Sequence, residues 1–462
     1  MINKLRYHLL AFVIPVVIGM GMAACQPKQK AAEQTEQTGS RLQPEWLKDA
    51  VLYEVNIRQY TPEGTFNAFA GHLPRLRELG VDILWLMPIH PISEEKRKGT
   101  LGSYYAVQDY KGINPEFGTL DDFKKLVKQA HGMGFKVIID WVANHTGWDN
   151  QWIFDHPEWY TTDSTGAIVP PDPDWTDVAD LNFDAQPMRQ AMIDAMDYWL
   201  RETDIDGFRC DVAWGVPQDF WEEARASFDS IKPVYMLAED EDHPALLEMA
   251  FESNYAWQLH HLMNEVARGH KTAKELKAYF ENITGKYAAG SFPMQFITNH
   301  DENSWAGTLN ERMGAAADAF AVFSFTVPGI PLIYSGQEAG LDKRLLFFEK
   351  DEIDWSDLKK QDFYKNLVSL KTNNPALWNG LAGSDIRFLE TSHEDRLLAY
   401  VREKNNNVLV IMMNLSPDPL VGLVEFDVHD EFEDWLGKDK LVSGEKVNVE
   451  LLPWEYKIYI SR

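Results

Sequence analysis

The chain has 462 residues, a formal net charge of −27 and 16 tryptophans. That length allows one large core and one smaller one, because single cores stop growing near about 250–300 residues. So acidic a surface repels phosphate backbones and argues against a nucleic-acid partner; it suits a neutral polyol ligand, or serves solubility alone.

In chain order, Lys4 and Arg6 precede an apolar run, Leu9 to Gly19, that is too short to span a bilayer as an ordinary helix. Met22-Ala23-Ala24-Cys25 follows and resembles a bacterial lipobox. A leader over residues 1–24 is expected, with cleavage leaving Cys25 as a lipid-modified N-terminus; a plain signal peptide cut near Ala24 is the alternative. Residues 25–45 are polar and Gln-rich and read as a flexible tether. Gln26 is not Asp and no acidic run follows, so the expected location is the cell envelope, lipid-anchored and facing the periplasm, with the cell surface second. The other cysteine, Cys210, belongs to no metal-ligand cluster and reads as a small core residue.

From Ala50 onward, strand-like apolar runs alternate with helical patterns. The predicted strands are Val51–Ile57, Val81–Met87, Phe135–Trp141, Gly207–Cys210, Val234–Ala238, Phe251–Tyr255, Met294–Asn299 and Ile330–Tyr334. Helical spacing marks Leu73–Leu79, Leu120–Met133, Met188–Leu200 and Ala315–Phe325. This count of strands favours an α/β fold of the (β/α)8 TIM-barrel type over residues 46–375. A connection over 146–180, rich in Trp, Asp and Pro, reads as a small subdomain after strand 3. Residues 376–462 carry short β-rich runs separated by turn residues, and a C-terminal antiparallel β-domain of sandwich type is expected there.

In such a barrel, chemistry gathers where the strands end. The third predicted strand leads into Asp140-Trp141-Val142-Ala143-Asn144-His145, and the fourth carries Arg209-Cys210-Asp211. The fifth ends Leu237-Ala238-Glu239 and the seventh Asn299-His300-Asp301. Spacing alone puts Arg209 and Asp211 on one face of their strand. Taken together these four segments resemble the α-amylase family, glycoside hydrolase family 13. Further segments extend the likeness: Tyr53 to Arg58, Gly102 to Tyr110, Asp180-Leu181-Asn182 and Gly329 to Glu338.

The resemblance implies a retaining glycosidase acting on α-glucosidic bonds of starch-like glucans or maltooligosaccharides. Asp211 is then the nucleophile, Glu239 the general acid and base, and Asp301 the third carboxylate. Retention needs the first two carboxyl groups roughly 5–5.5 Å apart. Tyr105 is expected to stack on the sugar ring at the cleavage point, His145 and His300 to bond its hydroxyls, and Arg209 to hold Asp211 ionised. Tyr104 reads as structural, Asp109 and Asp140 as buried supports, and the loop tryptophans Trp148, Trp152, Trp159 and Trp175 as packing or as stacking platforms.

One stretch departs from the family. Many amylases carry Lys-His after the nucleophile; here Val212-Ala213-Trp214-Gly215 stands there. This puts the usual leaving-group contacts in doubt. No cofactor is required, though the family implies a candidate structural calcium on Asn144 and Asp180, oxygen donors of the type that ion takes. Two other functions stay open: a transglycosidase or glucosyl isomerase using the same intermediate, and a non-catalytic glycan-binding protein on an amylase-like scaffold.

Overall fold

Strands that are buried on both faces read as near-continuous runs of Val, Ile, Leu and aromatics, and here such runs close a barrel. The computed structural model describes residues 43–461 except 284, 427–430, 438–439 and 443–445. The expected leader, Cys25 and nearly all of the tether lie outside the described residues. Among the described residues, no helix is long and apolar enough to cross a membrane.

The barrel strands are β1 (Leu52–Val55), β2 (Ile83–Leu86), β3 (Lys136–Val142), β4 (Gly207–Asp211), β5 (Tyr235–Ala238), β6 (Ser253–Tyr255), β7 (Phe292–Gln295) and β8 (Ile330–Tyr334). All pair in parallel and in sequence, with β8 returning to β1. This is the (β/α)8 TIM barrel that the sequence predicts. Leu52, Ile83, Trp85, Ile138, Leu237, Met294 and Leu332 fill its interior. Their alternates, such as Leu84, Val137 and Ile139, pack outward against the surrounding helices. Helix Leu120–Gly132 starts on a capping box, with Thr119 and Asp122 bonding each other's main-chain N–H groups.

Register decides the active-site geometry. Cys210 pairs with Ala238, so the next residues along β4 and β5, Asp211 and Glu239, emerge at one level. The Glu239 N–H donates to the Cys210 carbonyl at 2.9 Å, which fixes that level.

One strand ends earlier than its sequence suggests. β7 stops at Gln295, and Phe296 to Asn299 form a loop that leads into a helical turn at His300. Past Gln295 the main chain finds side-chain partners instead of a neighbouring strand. Arg312 Nη2 donates to the Ile297 carbonyl at 2.9 Å, and Asn299 Oδ1 accepts the Glu302 N–H at 2.8 Å.

The long connection after β3 pairs His145–Gly147 antiparallel with Val178–Asp180 and holds a short α-helix, Gln151–Asp155, and a 3-10 turn, Pro157–Trp159. It is laced to the preceding loop. Asp149 Oδ2 accepts from the Glu94 N–H (2.8 Å) and from Gln108 (3.1 Å), and Lys98 pairs with Asp177 at 2.9 Å.

Past the barrel, β9 (Ile386–Phe388), β10 (Leu397–Lys404), β11 (Asn407–Asn414), β12 (Leu420–Glu425), β13 (Glu431–Asp434), β14 (Lys440–Val442), β15 (Lys446–Leu451) and β16 (Tyr456–Ser461) build two antiparallel sheets. One runs β9-β10-β11-β16-β13-β14 and the other is the pair β12-β15. Alternation along β10 sorts the faces. Leu398 and Tyr400 join the barrel's outer core, while Leu397, Ala399 and Val401 meet the two-stranded sheet. Arg402 crosses the junction fully buried, donating to the carbonyls of Thr326 (2.6 Å), Ala376 (3.0 Å) and Ser384 (2.7 Å). Lys371, also fully buried, donates to the carbonyls of Gly329 and Leu377.

Candidate active site

At the C-terminal mouth of the barrel, one buried cation organises three carboxylates. Arg209 points inward from β4 between Trp85 and Tyr255, with its guanidinium 5.2 Å from the first ring centroid and 5.6 Å from the second. Its Nη1 donates to Asp140 Oδ1 (2.9 Å) and to Asp211 Oδ1 (3.1 Å), and its Nη2 lies 3.1 Å from Glu239 Oε2. Nε donates to the Tyr255 hydroxyl at 3.0 Å. The planar fork therefore holds Asp211 and Glu239 on its two terminal nitrogens. Three carboxylates around one guanidinium leave excess negative charge in a buried place. Burial, and then the Glu239 charge, push the Asp211 carboxyl well above the usual carboxylate range despite Arg209. Asp140 is raised as well, by burial, with Arg209 opposing.

A second buried cation completes the site. His300 Nε2 lies 2.8 Å from the Tyr105 hydroxyl and 3.2 Å from Asp301 Oδ2, while Nδ1 bonds Glu54. Burial alone would favour the neutral ring, but Asp301 and then Glu54 outweigh it and raise the His300 pKa well above its ordinary value. The same contact acts on Asp301: burial works to raise its pKa, yet the His300 charge and hydrogen bond bring it below normal. Tyr105 also donates to Asp140 Oδ2 at 3.1 Å, which links the two cationic centres.

Tyr105, Arg209, Asp211, Glu239, His300 and Asp301 thus converge. His145 stands to one side. Its buried ring engages the Tyr105 main chain and lies edge-on to Trp175 at 5.7 Å, and burial lowers its pKa to about 4, so it is neutral. Asp240, next to Glu239, is taken up by His243 at 2.6 Å.

The loop after Asp211 is unusual in its backbone. Val212 has φ 45° and ψ 45°, a left-handed conformation that a β-branched residue rarely adopts. That twist aims its N–H at Glu239 Oε2, 2.8 Å away. Trp214 follows and is exposed.

Sequence reasoning assigned no role to Glu54, Trp85 or Tyr255. Only Glu54 carried a signal, as an acid inside an otherwise apolar strand that must find a partner once buried. Asp140 is buried and hydrogen-bonded, as expected. Asp109 is not: it is exposed, and its carboxylate bonds the Lys111 N–H in a local turn. Asp next to a tight turn satisfies the main chain two residues on, which needs no burial. Tyr104 is buried with the Arg58 guanidinium over its ring at 4.2 Å. Of the loop tryptophans, Trp152 and Trp159 pack together edge to face, while Trp148 donates to the Thr176 carbonyl.

Asn144 and Asp180 lie in the paired segment beside His145. The Asn144 amide nitrogen is 3.3 Å from the His145 ring, and burial raises the Asp180 carboxyl. Among the described residues, no group of three or more His, Cys, Asp or Glu side chains could hold a metal. Two side-chain donors fall short of the roughly six to eight oxygens that calcium takes.

A family model described as the alpha amylase catalytic domain matches residues 32–166 and 173–383. The chain is 31% identical over 415 residues to an alpha-amylase of Haloarcula japonica, covering 82% of this chain and 57% of that relative's length. Among solved structures, a noncanonic maltogenic alpha-amylase from Thermotoga neapolitana superposes with a TM-score of 0.83 at 28% identity, covering 90% of this chain and 99% of the other. An alpha-amylase from Lactobacillus plantarum gives 0.80 at 30% identity, with the same coverage. The chain belongs to the alpha-amylase family of glycoside hydrolases.

Proposed function

We propose that this glycosidase cleaves α-glucosidic bonds of starch-like glucans or maltooligosaccharides with retention of configuration. The observation that carries the reading is the shared fork: Asp211 and Glu239 each lie 3.1 Å from a different terminal nitrogen of Arg209. One guanidinium holding both carboxyls at neighbouring strand ends supports direct attack by one of them, as retention requires.

In the first step, an Asp211 oxygen bonds to the anomeric carbon as the glycosidic C–O bond breaks. Glu239 gives its proton to the departing oxygen. The Val212 N–H occupies Glu239 Oε2, which leaves the other oxygen for that transfer. In the second step, water attacks the glycosyl-enzyme, Glu239 takes its proton, and Asp211 leaves as the free carboxylate. Asp301, kept ionised by His300, grips ring hydroxyls and favours the oxocarbenium-like transition state. Tyr105 offers a ring face to the sugar, and neutral His145 offers a hydrogen bond. No cofactor enters either step.

Upstream, we propose that residues 1–24 are a leader and that Cys25 carries the lipid of an envelope-anchored enzyme facing the periplasm. The support is the lipobox-like run ending at Cys25. Fractionation after globomycin treatment tests this, and unchanged processing overturns it.

The test of the activity is the product of maltooligosaccharide cleavage, followed by NMR within the first minutes. The α-anomer is expected. A β-anomer overturns retention, and longer oligomers or isomerised disaccharides in place of shorter ones overturn plain hydrolysis.

A further inference from the structure

One exposed aromatic is continuous with the catalytic cluster and has no part in it. Trp305 is 55% exposed, four residues beyond Asp301. It lies in a π-helical turn, Glu302–Ala306, a rare geometry that collects at functional sites. The turn is closed by Gly307 at φ 137°, a conformation that favours glycine.

The indole rests against Phe347 and Phe348, but other residues hold the turn that carries it. The turn is fastened by the two residues that follow Asp301. Glu302 Oε2 meets His260 Nε2 at 3.0 Å and Arg312 Nη1 at 3.5 Å. Buried Asn303 donates to the Lys343 carbonyl (3.0 Å) and accepts the Leu345 N–H (2.9 Å). The facing loop is clamped from its other side by Gln59, which donates to the carbonyls of Leu346 (2.9 Å) and Glu349 (3.0 Å). A rigid frame therefore presents a large aromatic face to water.

The rings form a row. His300 and Tyr105 stack at 5.6 Å and 21°, and Tyr105 and Phe347 at 6.2 Å and 13°. Phe347 and Trp305 are 5.2 Å apart. Trp305, at the outer end of the row, is more than half exposed, as is Leu346, beside Phe347 in the chain. The C–H face of a pyranose matches such a surface, and a pre-fixed aromatic loses little freedom on contact.

We infer that Trp305, backed by Phe347, is a stacking platform for a glucosyl ring beyond the one at the cleavage point, and sets a preference for longer α-glucan chains. The inference rests on the activity proposed above.

The test compares kcat/KM on maltoheptaose with kcat/KM on maltotriose. In Trp305→Ala this ratio falls roughly tenfold, through KM. In Trp305→Phe most of the ratio survives. A ratio that Trp305→Ala leaves unchanged overturns the inference. A second measurement does not depend on that variant: maltoheptaose perturbs tryptophan fluorescence of Glu239→Gln protein, and the change shrinks when Trp305→Phe is added. An undiminished change overturns the platform. A wild-type enzyme inactive on every α-glucan overturns the underlying activity, whereas an active enzyme indifferent to Trp305 overturns this inference alone.

Discussion

Glu54, from β1, and His300, from the loop after β7, bond across 246 positions of sequence in a fully buried place. With Nδ1 on Glu54, the imidazole can rotate neither away from Asp301 nor away from Tyr105. Glu54 is also, after Asp301, the second anion that keeps the ring cationic.

Replacing that acid tests the arrangement. In Glu54→Gln the ring keeps a neighbour but loses an anion, so its pKa falls and it deprotonates at lower pH. The His300 titration, followed by NMR, is expected to move to lower pH, and kcat/KM at neutral pH to drop roughly 10- to 100-fold. An unmoved His300 titration with full activity would remove Glu54 from the mechanism.

The acid limb reports Asp211, the carboxylate held by the other cation, Arg209. Asp211 must be ionised to attack, and burial together with the Glu239 charge raises its pKa. Activity is therefore lost on acidification sooner than the ordinary Asp value of about 3.9 suggests. Asp140 adds to the same upward push, so Asp140→Asn shifts the acid limb to lower pH even where it reduces the maximal rate. A shift the other way, read from kcat/KM profiles, contradicts the charge argument.

Glu239 donates a proton only when the leaving group needs one. Glu239→Gln should lower kcat on maltooligosaccharides about 10²- to 10⁴-fold. Glycosylation by an aryl glycoside whose phenolate leaves unaided should fall far less, seen as a burst before slow deglycosylation. Equal losses on both substrates would reassign the proton donor.

Stability has its own pH dependence. His90 is fully buried, edge-on to Trp141 and Trp199, and burial lowers its pKa from 6.5 to about 4. Between those values the unfolded chain binds a proton that the folded one refuses. Stability thus declines as pH falls from 6.5 toward 4, by up to about 1.4 kcal/mol per unit for this ring, and is flat above 6.5. Urea unfolding at pH 7, 6 and 5 checks this. His90→Gln should reduce the slope by this ring's share, leaving that of His145, which burial also lowers to about 4, and a parallel slope in both proteins would exclude His90 as a source.

How far the sequence revealed all this depended on how local each signal was. Arg209 and Asp211 were legible because a two-residue spacing on a strand is a geometric statement. The barrel was legible because its strands are short apolar runs separated by helical patterns. Asp301 was found by its motif, but its setting was misjudged: it follows a loop held by Arg312 and Asn299, and such side-chain anchors leave no periodicity to read. Glu54 was passed over because its partner is contributed from the far end of the barrel. Strands β13 and β14 carry weak apolar patterns and were not anticipated.

Arg402 settles a question of timing. Its acceptors are the Ser384 hydroxyl and three main-chain oxygens, one of them at Thr326, 76 positions earlier in the chain. During synthesis, the eighth barrel strand is complete well before this guanidinium has been made. Until then, the Thr326 carbonyl at the barrel's floor lacks its partner and must stay wet or unfolded. The barrel's floor is thus completed by a residue that lies outside it, and a nascent chain stalled before residue 402 should hold all its catalytic groups while the Thr326 carbonyl still waits for this guanidinium.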